Sequence, residues 1–293
     1  MEKSISLSWV RKARSAPQVL TTEKAALFCK KHGFARLDYA GPYLEEDWRE
    51  KAIRERAVFD RLGVRVIQSH APTLRDGLCA PSEFPELLRR SAETAVILGA
   101  SFLVVHGDGE RPVDHFDPEE EQKKAYELFA PVAGLLAREG RMLAVENLFE
   151  TPNSKYPKFG GRARYTAFVD EQIGLIERFK APEAVGACWD SGHGAVTYGR
   201  EGAGKALKAL MPYLCCTHIH DNNKGRDEHL IPFQGEIDWE EQMKILREGA
   251  YRGDLSFEFV YGGVPADLMP EWLGFVSRVG DRLIRSFEEG GNG

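Results

Sequence analysis

The feature that most constrains this chain is a repeated alternation of short apolar runs with longer stretches of helical periodicity, eight times over. The apolar, strand-like runs lie at residues 5–9, 35–39, 65–69, 102–106, 142–147, 185–190, 215–220 and 255–259. Helical periodicity is clearest at 24–31, 45–62, 83–98, 118–139, 171–179, 203–211, 240–249 and 269–287. Glycines such as Gly33, Gly63, Gly140 and Gly253 break the pattern between segments. Eight strands interleaved with eight helices is the count of a (β/α)8 TIM barrel, and the length fits one such domain over residues 1–293. A doubly wound open sheet is the alternative. It is disfavoured because no glycine-rich phosphate loop follows the first run. No linker, low-complexity tract or internal repeat divides the chain.

Composition narrows the class of function. The net charge of -6 argues against a dedicated nucleic-acid binder, because phosphate backbones attract basic surfaces. The cysteines are Cys29, Cys79, Cys188, Cys215 and Cys216; their odd number and spacing fit buried free thiols in a reducing compartment. The N-terminus lacks a secretory pattern and no run of about 18 apolar residues occurs, so a cytoplasmic enzyme without a membrane span is expected. There is no Gly-x-Ser-x-Gly elbow and no phosphate-binding P-loop.

The apolar runs end in polar residues, and in a barrel of this kind the active site lies at those ends. His70 follows the third run and His106 ends the fourth. Glu146 ends the fifth, Asp190 and His193 the sixth, and His218, His220 and Asp221 the seventh; Glu258 sits in the eighth. Any one of these is more often structural. Gathered on one rim they are hard to explain that way, because a buried unpaired carboxylate is costly. Two glutamates, an aspartate and a histidine form a mostly oxygen-donating set. It suits one divalent ion, Mn²⁺, Mg²⁺ or Co²⁺, with Zn²⁺ admitted by the imidazole. Open coordination positions would let such an ion polarise a substrate carbonyl and stabilise an enediolate.

Flanking residues are read more plainly. The segment 149–165 is a long loop whose Lys155, Lys158, Arg162 and Arg164 either close over an anionic or polyhydroxyl substrate or are simply solvated. Trp9, Trp189 and Phe149 are candidates for apolar walls against a sugar ring, with Trp9 more at home in the core. Asp108, Asp114 and His115 look like loop polar residues, and Lys224 is a weak candidate for a phosphate contact or a base. Cys188, Cys215 and Cys216 fall in strands and read as packing residues.

Taken together, Val145-Glu146-Asn147, Trp189-Asp190-Ser191-Gly192-His193, His218-Ile219-His220-Asp221-Asn222, Asp227-Glu228-His229-Leu230 and Gly235-Glu236-Ile237-Asp238-Trp239 resemble the xylose isomerase-like TIM barrel superfamily. That group includes sugar phosphate isomerases and epimerases, ketose 3-epimerases, inosose and dehydroshikimate dehydratases, and AP endonucleases of the endonuclease IV type. Similarity to the ketose 3-epimerases implies that Glu146, Asp190, His220 and Glu258 hold the metal. It also implies that Glu146 and Glu258 are an acid/base pair on opposite faces of the substrate carbon. His193 and Arg226 would bind substrate, as would His70 and His106. The resulting expectation is a metal-dependent sugar or sugar-phosphate isomerase or epimerase with a small carbohydrate substrate and no nucleic-acid partner. Barrels of this kind often form homo-oligomers. The endonuclease IV resemblance pairs His70, His106, Glu146, Asp190, His193, His220, Asp227, His229 and Glu258 with the ligands of a three-zinc site. A short loop between His220 and Asp227 and the acidic balance count against it. Asp227 and His229 are expected instead to orient His220 or close the loop.

Overall fold

The first strand, β1 (Lys3–Ser6), pairs in parallel with β2 (Arg36–Asp38) on one side and β8 (Leu255–Phe257) on the other. Between them run β3 (Arg65–His70), β4 (Phe102–His106), β5 (Met142–Glu146), β6 (Val185–Asp190) and β7 (Leu214–His218). Every pairing is parallel and the order is β7-β6-β5-β4-β3-β2-β1-β8. A parallel bridge from Ile219 to Phe257 joins β7 to β8 and closes the sheet into a barrel. This computed structural model describes residues 1–11, 20–74, 77–107, 117–150, 164–223, 225–259 and 264–290, with the backbone alone at Trp9 and Arg11. Lys155, Lys158, Arg162, Asp108, Asp114, His115, Lys224 and the side chain of Trp9 lie outside the described residues.

The helices cover the outside: α1 (Leu7–Arg11), α2 (Thr22–Lys31), α3 (Trp48–Leu62), α4 (Phe84–Leu98), α5 (Pro118–Arg138), α6 (Val169–Phe179), α7 (Ser191–Leu210), α8 (Trp239–Glu248) and α9 (Met269–Glu289). Each presents an apolar stripe to the sheet. In α6, Val169, Gln172, Leu175 and Ile176 are buried, the spacing of one helical face. The strands alternate. Leu103, Val105, Leu143, Val145, Ala187 and Trp189 point outward into the main core beneath the helices. Val104, Ala144, Cys188 and Cys216 point inward and form a separate, dry plug in the barrel. Cys29, Cys188 and Cys216 are buried free thiols, and burial pushes them up, which keeps them neutral packing groups. Among the described residues no helix is long and apolar enough to cross a membrane.

Several element boundaries differ from the sequence expectation. The first strand ends at Ser6 and the chain turns at once into α1, so residues 7–9 are helical rather than extended. The helix expected at 203–211 begins at Ser191, directly after β6. Glycines at 192, 194, 199, 202 and 204 hide its periodicity, since glycine is a poor helix former, and Gly199 (φ 67°) kinks it. The seventh and eighth strands also stop earlier than expected, at His218 and Phe257.

Candidate metal centre

The period of two that builds the plug also builds the site above it. One step further along each strand, Val104 is followed by His106, Ala144 by Glu146, Cys188 by Asp190 and Cys216 by His218. The register places His106 beside Glu146 and Asp190 beside His218. His70 at the end of β3, and Glu258 just past β8, complete the ring.

Glu146 is its centre. Its side chain is 1% exposed and four imidazoles surround it. His70 Nε2 and His106 Nε2 each lie 3.2 Å from Oε2, His218 Nδ1 lies 3.3 Å from Oε2, and His193 Nδ1 lies 3.3 Å from Oε1. Burial alone would raise the Glu146 carboxyl, but His218 and His106 hold it well below the usual range. The imidazoles shift the opposite way. Against the cost of burial, Glu146 lifts His70 to about 9 and lifts His218 well above its ordinary value.

The Asp-Ser-Gly-His stretch after β6 works residue by residue. Asp190 caps α7, accepting the His193 N–H at Oδ1 (2.7 Å). It also stands 2.9 Å from His220 Nε2. Asn147 fixes its backbone twice: the Asn147 amide donates to Asp190 O (2.9 Å) and its oxygen accepts the Asp190 N–H (2.7 Å). The Ser191 hydroxyl donates to His220 O (2.8 Å) and accepts the His220 N–H (3.1 Å). Gly192 is required by close approach, since a Cβ there would stand 1.9 Å from Cε1 of His220. His193 then enters the cluster.

Two sets of donors result. The inner set holds Asp190, His218 and Glu258, whose ligand atoms lie within 4.8 Å of one another, and Glu146 shares His218 with it. His218 Nδ1 is 3.9 Å from Asp190 Oδ2 and 3.7 Å from Glu258 Oε2. The outer set holds His193, His220, Asp227 and His229. There His220 stacks on His229 at 3.9 Å, Asp227 Oδ1 is 3.3 Å from His229 Nε2, and Asp227 Oδ2 is 3.7 Å from His193 Nε2. Burial would raise Asp227, but His193 and His229 hold it far below its ordinary range. Two further groups overlap these: His70, Glu146 and His218, and Glu146, Asp190 and His193.

The inner set fits a divalent cation on chemical grounds. Three carboxylates converge on one imidazole nitrogen, a concentration of buried negative charge that needs a cation or protonated imidazoles to persist. His218 is fully buried, yet neither ring nitrogen makes a well-aligned hydrogen bond. Buried polar atoms without partners are uncommon, and a ligand role accounts for this one.

The site opens into two adjoining cavities. One, about 380 Å³, is lined by Ser6, Ser8, Asp38, Tyr43, Thr73 and Glu258 among others. The other, about 370 Å³, is lined by Phe149, Arg164, His193, Asp227, His229 and Glu258 among others. Glu258 belongs to both and keeps 18% exposure of its side chain.

The sequence candidates are therefore not all alike. Glu146, Asp190, His193, Glu258, His70 and His106 meet at the rim. His220 touches Asp190 but belongs to the outer set, and the inner position is held by His218, which the sequence expectation left unassigned. Arg226 is exposed and lines neither cavity, whereas Arg164 lies 4.2 Å over the Phe149 ring and lines the second. Trp189 is no cavity wall: it is buried behind β6, where its indole N–H donates to Gln242. Asp221 organises the loop after β7, accepting the backbone N–H groups of Asn222, Phe233 and Ile237 and the Trp239 indole N–H.

The comparisons with known proteins agree with this fold. The family model described as xylose isomerase-like TIM barrel matches residues 27–276. An uncharacterized protein of Sinorhizobium fredii, y4fM, is 31% identical over 177 residues, covering 59% of this chain and 51% of its own. The chain thus spans about half the length of the curated relative it matches. A D-psicose 3-epimerase solved in the presence of D-fructose superposes with a TM-score of 0.75 at 15% identity, covering 97% of this chain and 99% of the other. An IolI protein solved with a zinc atom gives 0.73 at 15% identity, covering 98% and 99%. At such identities the likeness shows the fold.

Proposed function

The chain belongs to the xylose isomerase-like TIM barrel family, and from that premise we propose that it is a metal-dependent isomerase or epimerase of a small sugar or sugar phosphate. The observation that carries the reading is the inner set, with Glu146, Asp190, His218 and Glu258 as ligands at the mouth of two connected cavities. His218 here takes the place that His220 has in the sequence expectation. A divalent ion held there supplies Lewis acidity toward a substrate carbonyl.

The remaining chemistry falls to the chain. Glu258 reaches into both cavities, and although burial raises its carboxyl, His218 and His229 hold it lowered and ionised, ready to take a proton. On the Glu146 side a proton is returned by relay, from the His70 imidazolium 3.2 Å away through the Glu146 carboxylate to the substrate carbon, so that the two carboxylates would serve opposite faces of that carbon. His70, His106 and His193 stand where substrate hydroxyls would meet them, and Arg164 with Phe149 forms a wall that combines charge and an apolar face.

The test is proton exchange. Ketoses and ketose phosphates incubated with the metal-loaded protein in D₂O are expected to gain deuterium at the carbon beside the carbonyl. Glu258→Gln and Glu146→Gln are each expected to slow that exchange by about 10²–10⁴-fold. Exchange at the wild-type rate in both variants would sink the assignment.

One observation favours a second reading, hydrolysis of a phosphodiester by several ions. Ten donors lie in contiguous groups: His70 and His106 around Glu146; Glu146, Asp190, His218 and Glu258; and His193, His220, Asp227 and His229. Elemental analysis separates the two readings, because a single ion per chain leaves no role for this mechanism.

A further inference from the structure

The cavity at the β1–β3 side contains a carboxylate that the proposed chemistry does not use. Asp38 ends β2 and is 4% exposed. The pairing of β2 with β3 shifts register between Leu37 and Asp38, so that Leu37 faces Val66 but Asp38 faces Gln68. Such an irregularity re-aims a side chain, and here it points the Asp38 carboxylate into the barrel. There the Gln68 amide donates to Asp38 Oδ2 at 3.2 Å, and the same oxygen lies 3.3 Å from His218 Nε2. The opposite ring nitrogen, Nδ1, faces Glu146, Glu258 and Asp190.

We propose that Asp38 is a positioning residue for the metal centre, holding His218 so that Nε2 carries the hydrogen and Nδ1 is presented to the ion, with Gln68 fixing Asp38 in turn. Its premise is that an ion binds at His218. The geometry supplies what a ligating imidazole needs on its far side: an acceptor that selects the tautomer, orients the ring and increases its basicity. The alternative acceptors are few. His218 is fully buried, and the other carboxylates near it lie on the Nδ1 side. In the present arrangement the Nε2 hydrogen is not well aligned with the Asp38 oxygen 3.3 Å away, so the proposal requires the ring to turn toward Asp38 when an ion binds. The Gln68 amide, also 3.5 Å from Thr217 O, ties Asp38 to the strand that carries His218.

The test uses Co²⁺ as the probe, read by its visible absorption and by titration of the metal-free full-length protein. Asp38→Asn and Asp38→Ala are expected to weaken Co²⁺ binding by about 10–100-fold, with the alanine variant the weaker. Asp38→Glu is expected to recover part of the affinity, and Gln68→Ala to lose less than Asp38→Asn. The Co²⁺ absorption bands should shift in Asp38→Asn while circular dichroism stays that of the wild type. The deciding measurement is a double-mutant cycle with His218→Ala. If Asp38 acts through His218, adding Asp38→Asn to His218→Ala costs no further affinity. Wild-type affinity and bands in Asp38→Asn, or an equal loss in the presence and absence of His218, overturns the proposal. Wild-type protein that binds no Co²⁺, Mn²⁺ or Zn²⁺ overturns the metal reading itself and this inference with it.

Discussion

Along β4 to β7, two successive inward-facing levels of the same barrel have opposite chemistry. The lower level is Val104, Ala144, Cys188 and Cys216, apolar and dry. The upper level, two residues further on in each strand, is His106, Glu146, Asp190 and His218, all ionisable. Backbone geometry is shared, so the difference lies in partners. At the upper level each carboxylate faces an imidazole or the proposed ion. At the lower level a charge would find only thiols and aliphatic groups. The plug beneath the site is buried and apolar, and such a low-dielectric floor strengthens every interaction above it.

The strongest way to break this comparison is to move a charge down one level. Ala144→Asp places a carboxylate where the neighbours are Val104, Cys188 and Cys216. Its expected cost is about 3–5 kcal/mol, the penalty of an uncompensated buried charge. Glu146→Gln should cost less, because the raised imidazoles around it, His70, His193 and His218, can shed their protons. Denaturant unfolding of the metal-free proteins measures both. If Ala144→Asp unfolds at the wild-type midpoint, the lower level is not the dry plug described here.

A second prediction uses pH, and its two halves have opposite signs. His70, lifted to about 9, contributes to the metal-free fold a stability that is complete below its unfolded value of about 6.5. That contribution is lost as the pH rises through about 9. Metal binding runs the other way, since His218, also raised, must be neutral to ligate. Apparent Mn²⁺ affinity should therefore increase from pH 6 toward pH 9, by about tenfold per unit for each proton displaced. Calorimetry in two buffers of different ionisation enthalpy counts those protons. A flat affinity over this range would mean that no imidazolium is displaced.

Much of this contrast was legible in the sequence, and what was not legible has physical causes. Strand-end residues such as Glu146 and Asp190 announce themselves because a carboxylate closing an apolar run has few structural uses. The choice between His218 and His220 was harder, since both fall within the run at 215–220 and both share one inward phase. What separates them is where β7 stops: His218 ends the strand, whereas His220 lies beyond it with its backbone held by the Ser191 hydroxyl. Counting by twos from Cys216 reaches both, and only the folded geometry groups His218 with Asp190 and Glu258 and His220 with the outer donors. Asp38 was invisible for another reason: β2 has three residues, and the register shift that aims the side chain leaves no trace in the pattern. Arg226, expected at the substrate, is exposed and lines neither cavity, and a fixed offset from a histidine does not say which way the loop turns.

The smallest expected effect separates the inner set from the outer one. Ser191 holds only the backbone of His220, accepting its N–H and donating to its carbonyl. Ser191→Ala removes that hold at a cost of about 1 kcal/mol, read as a modest fall in the thermal midpoint. If His218 is the inner ligand, the ion is indifferent to the change, and Co²⁺ affinity in Ser191→Ala stays at the wild-type value while His218→Ala weakens it to the residual level that the carboxylates alone supply. If His220 is the ligand, loosening its backbone weakens Co²⁺ binding as well, and His220→Ala removes it. The two histidines are then distinguished by a hydroxyl that touches only one of them.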